Sequence, residues 1–386
     1  MSGPSPFSQE ILPPGVRARL VPNGNGLSMH VLEAGAPGQP LVLLLHGFPE
    51  IAYSWREIIG PLAAEGYHVV APDQRGYGRT TGWSAGYDDS LEPFAPLNLV
   101  RDITGLVGAL GYDQAEAVIG HDYGSPVAAF CALVRPDVFR SVVLMSAPFG
   151  GPGPLRKDPD AAKGMADGLS DPDLLASMEK LGRPRKHYHW YYATRPADQD
   201  MCECPEGIHD FLRAYFHMKS ADWTANKPHP LAGWRAEELA KLPTYYVMDL
   251  AQDMPESVRS EMPSKDAIAG CRWLPDEVLA VYAAEYGRTR FQGGLQWYRV
   301  VTGGIVGRDL RTFAGRRIEV PSAFIAGAQD WGVHQKPDEF EAMQSKGLAD
   351  LRGVHLLDGA GHWVQQEQAD KVLGLLIEFL KTEKAS

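Results

Sequence analysis

The sequence predicts an α/β protein: a mostly parallel central sheet flanked by helices, with a mainly helical segment inserted partway along the chain. Three observations carry this. Strand and helix signals alternate from Gly15 to Pro148, the pattern of parallel strands joined through helices. The segment Leu41–His46 is an unbroken apolar run, as expected of a strand covered on both faces. After a long interval with few strand signals, the buried-strand pattern resumes at Ile318–Ala326.

In chain order, Val16–Val21 and Leu27–Glu33 read as strands joined across Asn23-Gly24-Asn25-Gly26, a hairpin turn signal. Leu41–His46 follows, then a helix over Ser54–Ala64, a strand at His68–Ala71 and a helix over Asn98–Leu110. The next apolar strand, Ala115–Gly120, runs into the tight turn Gly120-His121-Asp122-Tyr123-Gly124. The small, apolar residues Pro126–Leu133 then continue as a helix, and Ser141–Met145 is a further strand. From Phe149 the character changes. Gly150-Gly151-Pro152-Gly153-Pro154 reads as a linker, and up to about Leu310 aromatic residues crowd at helical spacing, among them Tyr188, Trp190, Tyr191, Tyr192, Tyr215, Phe216, Trp223, Trp297 and Tyr298. Ile318–Ala326 and Val354–Leu357 resume the strand pattern, and Lys371–Lys381 closes the chain as a helix. The expected organisation is a core in two parts, residues 1–148 and 313–386, around a helical cap at 149–312.

Composition narrows the function classes. The chain has 386 residues, 44% hydrophobic and 22% charged, an ordinary globular balance that can bury a large core. A formal net charge of −11 and the lack of any basic run argue against a nucleic-acid or anionic-membrane partner. The start, Met1-Ser2-Gly3-Pro4-Ser5-Pro6, lacks the charged and apolar regions of a leader, and the longest apolar run, Leu41–Leu45, is far too short to span a bilayer. Cys131, Cys202, Cys204 and Cys271 have no zinc-ligand spacing. Free thiols and a cytoplasmic location are expected, with no metal and no cofactor. No feature sets the oligomeric state; a homodimer is one option.

The chemistry concentrates at strand ends. Strand, tight Gly-x-Asp-x-Gly turn and helix form the context of a nucleophile elbow, with Asp122 at the apex where serine is usual. Asp330 follows the strand ending at Ala326, in Gly327-Ala328-Gln329-Asp330-Trp331. His362 follows the strand ending at Leu357, in Gly359-Ala360-Gly361-His362-Trp363. The order Asp122, Asp330, His362 is the nucleophile–acid–base order of the α/β-hydrolase fold. The turn His46-Gly47-Phe48-Pro49 after Leu41–Leu45 can aim the Phe48 N–H at the site, and Tyr123 supplies the N–H following the nucleophile: two donors for an oxyanion hole. His46 is expected to shape its loop rather than to react, and Arg75, in Asp73-Gln74-Arg75-Gly76-Tyr77-Gly78, to brace the oxyanion turn. A lone histidine is often a surface residue and a lone acid after a strand often a helix cap; their joint placement at strand C-termini favours a site, since ligands of open α/β sheets bind there. Gly82-Trp83-Ser84-Ala85-Gly86 spells a serine-hydrolase motif, but polar Arg79-Thr80-Thr81 precedes it and no helix follows. Ser84 is expected to be a loop residue.

His46-Gly47-Phe48-Pro49-Glu50, Gly120-His121-Asp122-Tyr123-Gly124 and Gly361-His362-Trp363 resemble the soluble epoxide hydrolases of the α/β-hydrolase fold. The resemblance covers most of the core and both ends of the cap. It implies an epoxide substrate opened by Asp122 to a covalent alkyl ester, which His362, oriented by Asp330, then hydrolyses to a vicinal diol. It further implies two cap tyrosines that hold the epoxide oxygen. Leu295-Gln296-Trp297-Tyr298-Arg299 resembles the second tyrosine motif of that family, which gives this role to Tyr298. In His187-Tyr188-His189-Trp190-Tyr191-Tyr192 the pattern favours Tyr188, with Tyr191 in reserve. Trp190, Tyr191, Trp297 and Trp363 are candidate pocket residues for an apolar substrate. Aromatic residues at this spacing are also common packing elements. Two departures stand out: Tyr123 occupies a position where tryptophan is common, and the segment between Tyr192 and Phe291 does not follow the family's usual pattern.

Two other functions fit parts of the sequence. A haloalkane or fluoroacetate dehalogenase shares the Asp–His–Asp arrangement, but it needs N–H donors to cradle a halide, and neither the Tyr123 nor the Phe48 side chain offers one. A hydrolase-fold receptor would bind a small molecule without needing nucleophile, base, acid and oxyanion turn together, all of which are present here.

Overall fold

A computed structural model of the protein describes residues 4–155 and 171–384. The first three residues, which belong to the stretch read above for a leader, lie outside it. Six strands precede the insertion: β1 (Arg17–Pro22), β2 (Ser28–Ala34), β3 (Leu41–Leu45), β4 (His68–Pro72), β5 (Ala117–His121) and β6 (Val142–Met145). Within it lie β7 (Arg185–His187) and β8 (Val247–Asp249), and after it β9 (Ile318–Gly327) and β10 (Leu348–Leu357). Eight of these form one sheet in the order β1-β2-β4-β3-β5-β6-β9-β10. The β1–β2 hairpin is antiparallel, β2 joins β4 antiparallel, and every pairing from β4 to β10 is parallel. This is the α/β-hydrolase fold. The central strands β3, β5 and β6 are buried along their whole length.

Helices cover both faces of this sheet. α1 (Arg56–Ala64) follows a short 3-10 turn, Ala52–Trp55, which the sequence pattern merges with it. α2 (Pro96–Ala109) opens two residues earlier than its periodicity suggests because Pro96 sits at the first helical position, where a missing N–H costs nothing. α3 (Gly124–Val134) is almost wholly buried, and its small residues let it lie close against the sheet. The edge strand β10 begins six residues before Val354. Charged Asp350 and Arg352 and two register irregularities hide its first half from a period-two reading, and such features are typical of sheet edges.

Between β6 and β9 the chain leaves the sheet and builds the cap. Its helices include Tyr188–Tyr192, Gly207–Lys219, Asp276–Thr289 and Gln292–Thr302. The antiparallel pair β7–β8 has no counterpart in the sequence analysis. Each strand is three residues long and charged, and Asp249 bridges Arg183 and Arg185 across the pair. The helix Gln292–Thr302 packs on Tyr188–Tyr192. Its first N–H groups, those of Phe291 and Gln292, both donate to Asp198 at 2.8 Å. A carboxylate at a helix N-terminus is stabilising, and here it fixes the axis along which Tyr298 is carried.

The elbow is the tightest point of the core. Asp122 has φ of 51°, the left-handed region that costs a non-glycine residue about 1–2 kcal/mol. The turn closes only because its neighbours lack side chains. A Cβ on Gly124 would lie 2.3 Å from the Leu45 carbonyl oxygen, and one on Gly120 would lie 2.0 Å from the Gly124 carbonyl oxygen. Gly124→Ala must therefore push α3 off β3. It should lower the unfolding free energy by about 2–3 kcal/mol, as forced overpacking does, measurable by urea denaturation; an unchanged midpoint would show that the turn is not close-packed.

Candidate active site

Asp122 leaves the end of β5 with its carboxylate pinned at both oxygens. Oδ1 accepts the Phe48 N–H at 2.8 Å, and Oδ2 lies 3.0 Å from His362 Nε2. The Phe48 amide reaches it because Gly47 leaves room: a Cβ there would lie 2.2 Å from Oδ1. On the far side of the imidazole, His362 Nδ1 is 3.0 and 3.1 Å from the two oxygens of Asp330. The Gly332 N–H donates to Asp330 Oδ1 at 2.7 Å. Asp122, Asp330 and His362 are thus one hydrogen-bonded chain, all buried, assembled from the C-terminal ends of β5, β9 and β10.

The backbone of His362 is held as firmly as its ring. Its N–H donates to the Lys219 carbonyl at 2.8 Å. Its own carbonyl accepts from Ser146 Oγ at 3.0 Å and meets His121 Nε2 at 2.7 Å. That last contact orients His121 so that Nδ1 faces Glu50 Oε2 at 2.7 Å. Glu50 also receives the side-chain amides of Gln365 and Gln366 at 2.8 and 3.0 Å. Glu50, His121, Ser146, Lys219 and Gln335 are functional neighbours that the sequence analysis did not single out. Glu50 and His121 lie inside motifs quoted there, whereas Lys219 closes a cap helix with no local signature.

His46 shapes its loop. Its Nε2 accepts the Gln74 N–H at 3.1 Å, which leaves Nδ1 to donate to the Gly47 carbonyl at 2.9 Å. Arg75 requires a correction. It forms a bidentate pair with Asp102, at 2.7 Å through each nitrogen, and so braces α2 rather than the oxyanion turn. The neighbour Gln74 braces that turn, donating from Nε2 to the His46 carbonyl at 2.5 Å. Ser84 is an exposed loop residue whose hydroxyl bonds Asp89, with no strand before it.

The cap tyrosines separate clearly. The Tyr298 ring stands edge-on to Phe48 at 5.4 Å and Tyr123 at 5.7 Å, and so sits over the elbow. The Tyr188 ring lies 5.7 Å from it and the Tyr192 ring 4.9 Å. The Tyr188 hydroxyl donates to Gln335 Oε1 at 3.1 Å. Tyr191, the reserve candidate, turns away: its hydroxyl donates to Asp200 Oδ2 at 3.0 Å and Lys186 lies over its ring. Its neighbour Tyr192 turns the other way, its ring 4.9 Å from that of Tyr298 and 5.5 Å from that of Tyr188. His189 completes the group, 5.0 Å from Tyr298, with an Nδ1 that has no hydrogen-bond partner among the described residues.

Three further pocket candidates prove to be scaffold. Trp190, two residues from Tyr188 and so on the opposite helix face, is half-buried against His187. Trp297 donates Nε1–H to the Arg75 carbonyl at 2.9 Å, and its own carbonyl accepts the Tyr123 hydroxyl at 3.0 Å. That bond points the phenol of Tyr123 away from the nucleophile. Trp363 donates to the Phe216 carbonyl at 2.9 Å and packs 4.7 Å from the His362 ring. Buried indoles need such partners, and those partners here are backbone groups of the scaffold.

Electrostatics follow from the geometry. Burial alone would raise the Asp122 pKa, but the hydrogen bond and charge of His362, aided by Lys219 and His121, hold it well below the usual carboxylate range. Burial and Lys219 push His362 down, yet Asp330 and Asp122 overcome both and leave it above its ordinary value. Each partner thus favours the charged form of the other. Burial and the Asp122 charge raise Tyr188 and Tyr298 well above 10, so both phenols are protonated. Burial lowers Lys219, whose ammonium is caged by the rings of Tyr215, Tyr246 and Trp363 at 5.4, 4.9 and 5.2 Å. A desolvated cation over aromatic faces is stabilised by the ring quadrupoles.

Known proteins resemble this chain over nearly its whole length. A family model for the alpha/beta hydrolase fold matches residues 40–171. Epoxide hydrolase B of Mycobacterium tuberculosis is 32% identical over 370 residues, covering 93% of this chain and 96% of that protein. An epoxide hydrolase of Caballeronia sordidicola is 31% identical over 361 residues, covering 94% and 93%. Among solved structures, an epoxide hydrolase from an endophytic Streptomyces superposes with a TM-score of 0.78 at 31% identity, covering 97% of this chain and 98% of that one.

The charge arrangement is open to a direct check. Removing the ammonium of Lys219, as in Lys219→Met, takes away a group that disfavours the imidazolium. The pKa of His362 should rise further, shifting its imidazole NMR titration to higher pH; a fall would show that Lys219 does not act on this histidine.

Proposed function

The chain belongs to the epoxide hydrolase family of the α/β-hydrolase fold, and from that premise we propose that it adds water to an apolar epoxide through a covalent ester of Asp122. The observation that carries this is the double engagement of the Asp122 carboxylate, Oδ1 on a backbone amide and Oδ2 on the base, beneath the paired phenols of Tyr188 and Tyr298.

An ionised aspartate needs no base to attack. In our reading Oδ2 forms a bond to one epoxide carbon, and the C–O bond breaks with its electron pair passing to the ring oxygen. Tyr298 and Tyr188 hold that oxygen and one of them delivers its proton. The step is self-adjusting. As Asp122 becomes a neutral ester, the charge that keeps the phenols weak as acids is lost, and they release a proton more readily. The same loss removes one of the two groups that raise His362. His362 then gives up its proton, restoring the phenol, and becomes the base.

Water next attacks Cγ of the ester as His362 Nε2 takes its proton, with Asp330 steadying the imidazolium. The oxyanion forms on Oδ1, already at the Phe48 N–H, and we assign the Tyr123 N–H as the second donor. Such donors are worth roughly 3 kcal/mol each. Collapse expels the diol alkoxide, which is protonated by His362, and proton loss from the regenerated acid returns the carboxylate–imidazolium pair. Every proton transferred, including the one taken from water, passes through the chain's own groups. Dehalogenation fits less well, because the Tyr123 hydroxyl is committed to Trp297 and offers a halide nothing. Among the described residues no helix is long and apolar enough to cross a membrane. The four cysteines are free, which suits the reducing interior of a cell.

His362→Gln should stop the reaction after the first step. Incubated with styrene oxide, it should gain the mass of one substrate in intact-protein spectra, located at Asp122; an unmodified protein would remove Asp122 from the nucleophile's role. Tyr298→Phe should slow ester formation by about 10²-fold or more, read in single-turnover kinetics, while a change below a few-fold would show that Tyr298 does not serve as the acid.

A further inference from the structure

We infer that Glu367 is a positioning residue whose carboxylate clasps the His362 loop to the end of the cap helix Gly207–Lys219 and so sets the geometry of ester hydrolysis. Glu367 Oε2 accepts the Ala221 N–H at 2.8 Å and the Gly361 N–H at 2.9 Å, and Oε1 accepts the Trp363 N–H at 3.0 Å. Gly361 and Trp363 flank the base on either side, and Ala221 is the second residue past the cap helix. One carboxylate therefore joins both neighbours of His362 to the cap.

The surroundings are built for this contact. The His362 N–H donates to the Lys219 carbonyl and Trp363 Nε1–H to the Phe216 carbonyl, so the base loop runs along the helix terminus. A Cβ on Gly361 would lie 2.5–2.6 Å from the backbone of Lys219, Ser220 and Ala221, and no side chain separates the two segments. The Asn226 amide donates to the Met218 and Ser220 carbonyls at 2.8 and 2.9 Å, fixing the cap side. A carboxylate only accepts, so it satisfies three N–H groups at once; a neutral amide must turn its NH₂ toward at least one of them. Burial raises the Glu367 pKa to about 8 against the pull of its three N–H partners, so the clasp gains charge-assisted strength as pH rises through that value.

Glu367 touches none of the groups assigned to ring opening. Asp122, Tyr188, Tyr298 and the Phe48 amide sit on other elements. Its influence reaches His362 alone, and His362 acts as a base only in the second half-reaction. A loosened clasp should thus slow hydrolysis more than alkylation: His362 holds Asp122 Oδ2 in both steps, but only hydrolysis needs it placed as a base, where small displacements from its attacking water are costly.

The inference rests on the two-step reading above, and transient kinetics separates the two. Rapid mixing of the wild type with styrene oxide, followed by tryptophan fluorescence and quenched-sample mass, gives one rate for ester formation and one for its hydrolysis. Glu367→Gln should form ester within about threefold of the wild-type rate and hydrolyse it about thirtyfold or more slowly, with KM falling alongside kcat. Glu367→Asp, which keeps a carboxyl group on a shorter arm, should show a smaller loss in the same step. Equal slowing of both steps in either variant would make Glu367 a general stability residue, and wild-type hydrolysis in Glu367→Gln would dismiss the clasp. Failure of the wild type to form any ester would instead overturn the two-step mechanism itself.

Discussion

The structure is organised around one difficult demand, an ionised carboxylate kept out of water at the end of a buried strand. A lone carboxylate in such a place would protonate. Asp122 stays charged because the Phe48 amide and the His362 ring each take one of its oxygens. Meeting that demand dictates the glycines at 47, 120 and 124, the left-handed backbone at 122, and the approach of three strand ends to within hydrogen-bond range of each other.

The demand propagates outward as alternating charge. Asp330 stabilises the imidazolium, the Gly332 amide and Lys219 stabilise Asp330, and Glu50 faces His121 on the neighbouring side. Acids and bases are layered so that the transfer of one charge at Asp122 is felt at once by both the phenols above and the imidazole beside it. That coupling ties two proton transfers of opposite sense to the charge of one carboxylate.

Much of this was legible in the chain, and the rest failed for definable reasons. The central strands announce themselves because burial on both faces leaves uninterrupted apolar runs, as at Leu41–Leu45. Asp122, Asp330 and His362 were readable because each directly follows such a strand, and topology brings strand ends together. What was not readable depends on where side chains point within short cap elements. Tyr191 and Tyr192 are adjacent and chemically identical, and only the packing of a five-residue helix decides that one faces Asp200 and the other Tyr298. The aromatic bodies of Trp297 and Trp363 suggested a pocket, whereas their indole N–H groups tie them to the backbone carbonyls of Arg75 and Phe216. Arg75 does not brace the oxyanion turn for a similar reason, since Asp102 on a distant helix captures the guanidinium.

The contact between the His362 loop and residues 219–221 has a consequence for how such a protein can change over evolutionary time. A cap joined to its core only by two hinges could be exchanged as a module, carrying new specificity to an unaltered catalytic engine. Here the engine's base is partly housed in the cap, because the Lys219 carbonyl and the Ala221 amide belong to the inserted segment. Variation is therefore free at the outer helices but constrained along a narrow seam, and a cap transplanted from a relative would have to bring that seam with it. The insertion is a decorative addition in topology and an inherited partner in chemistry.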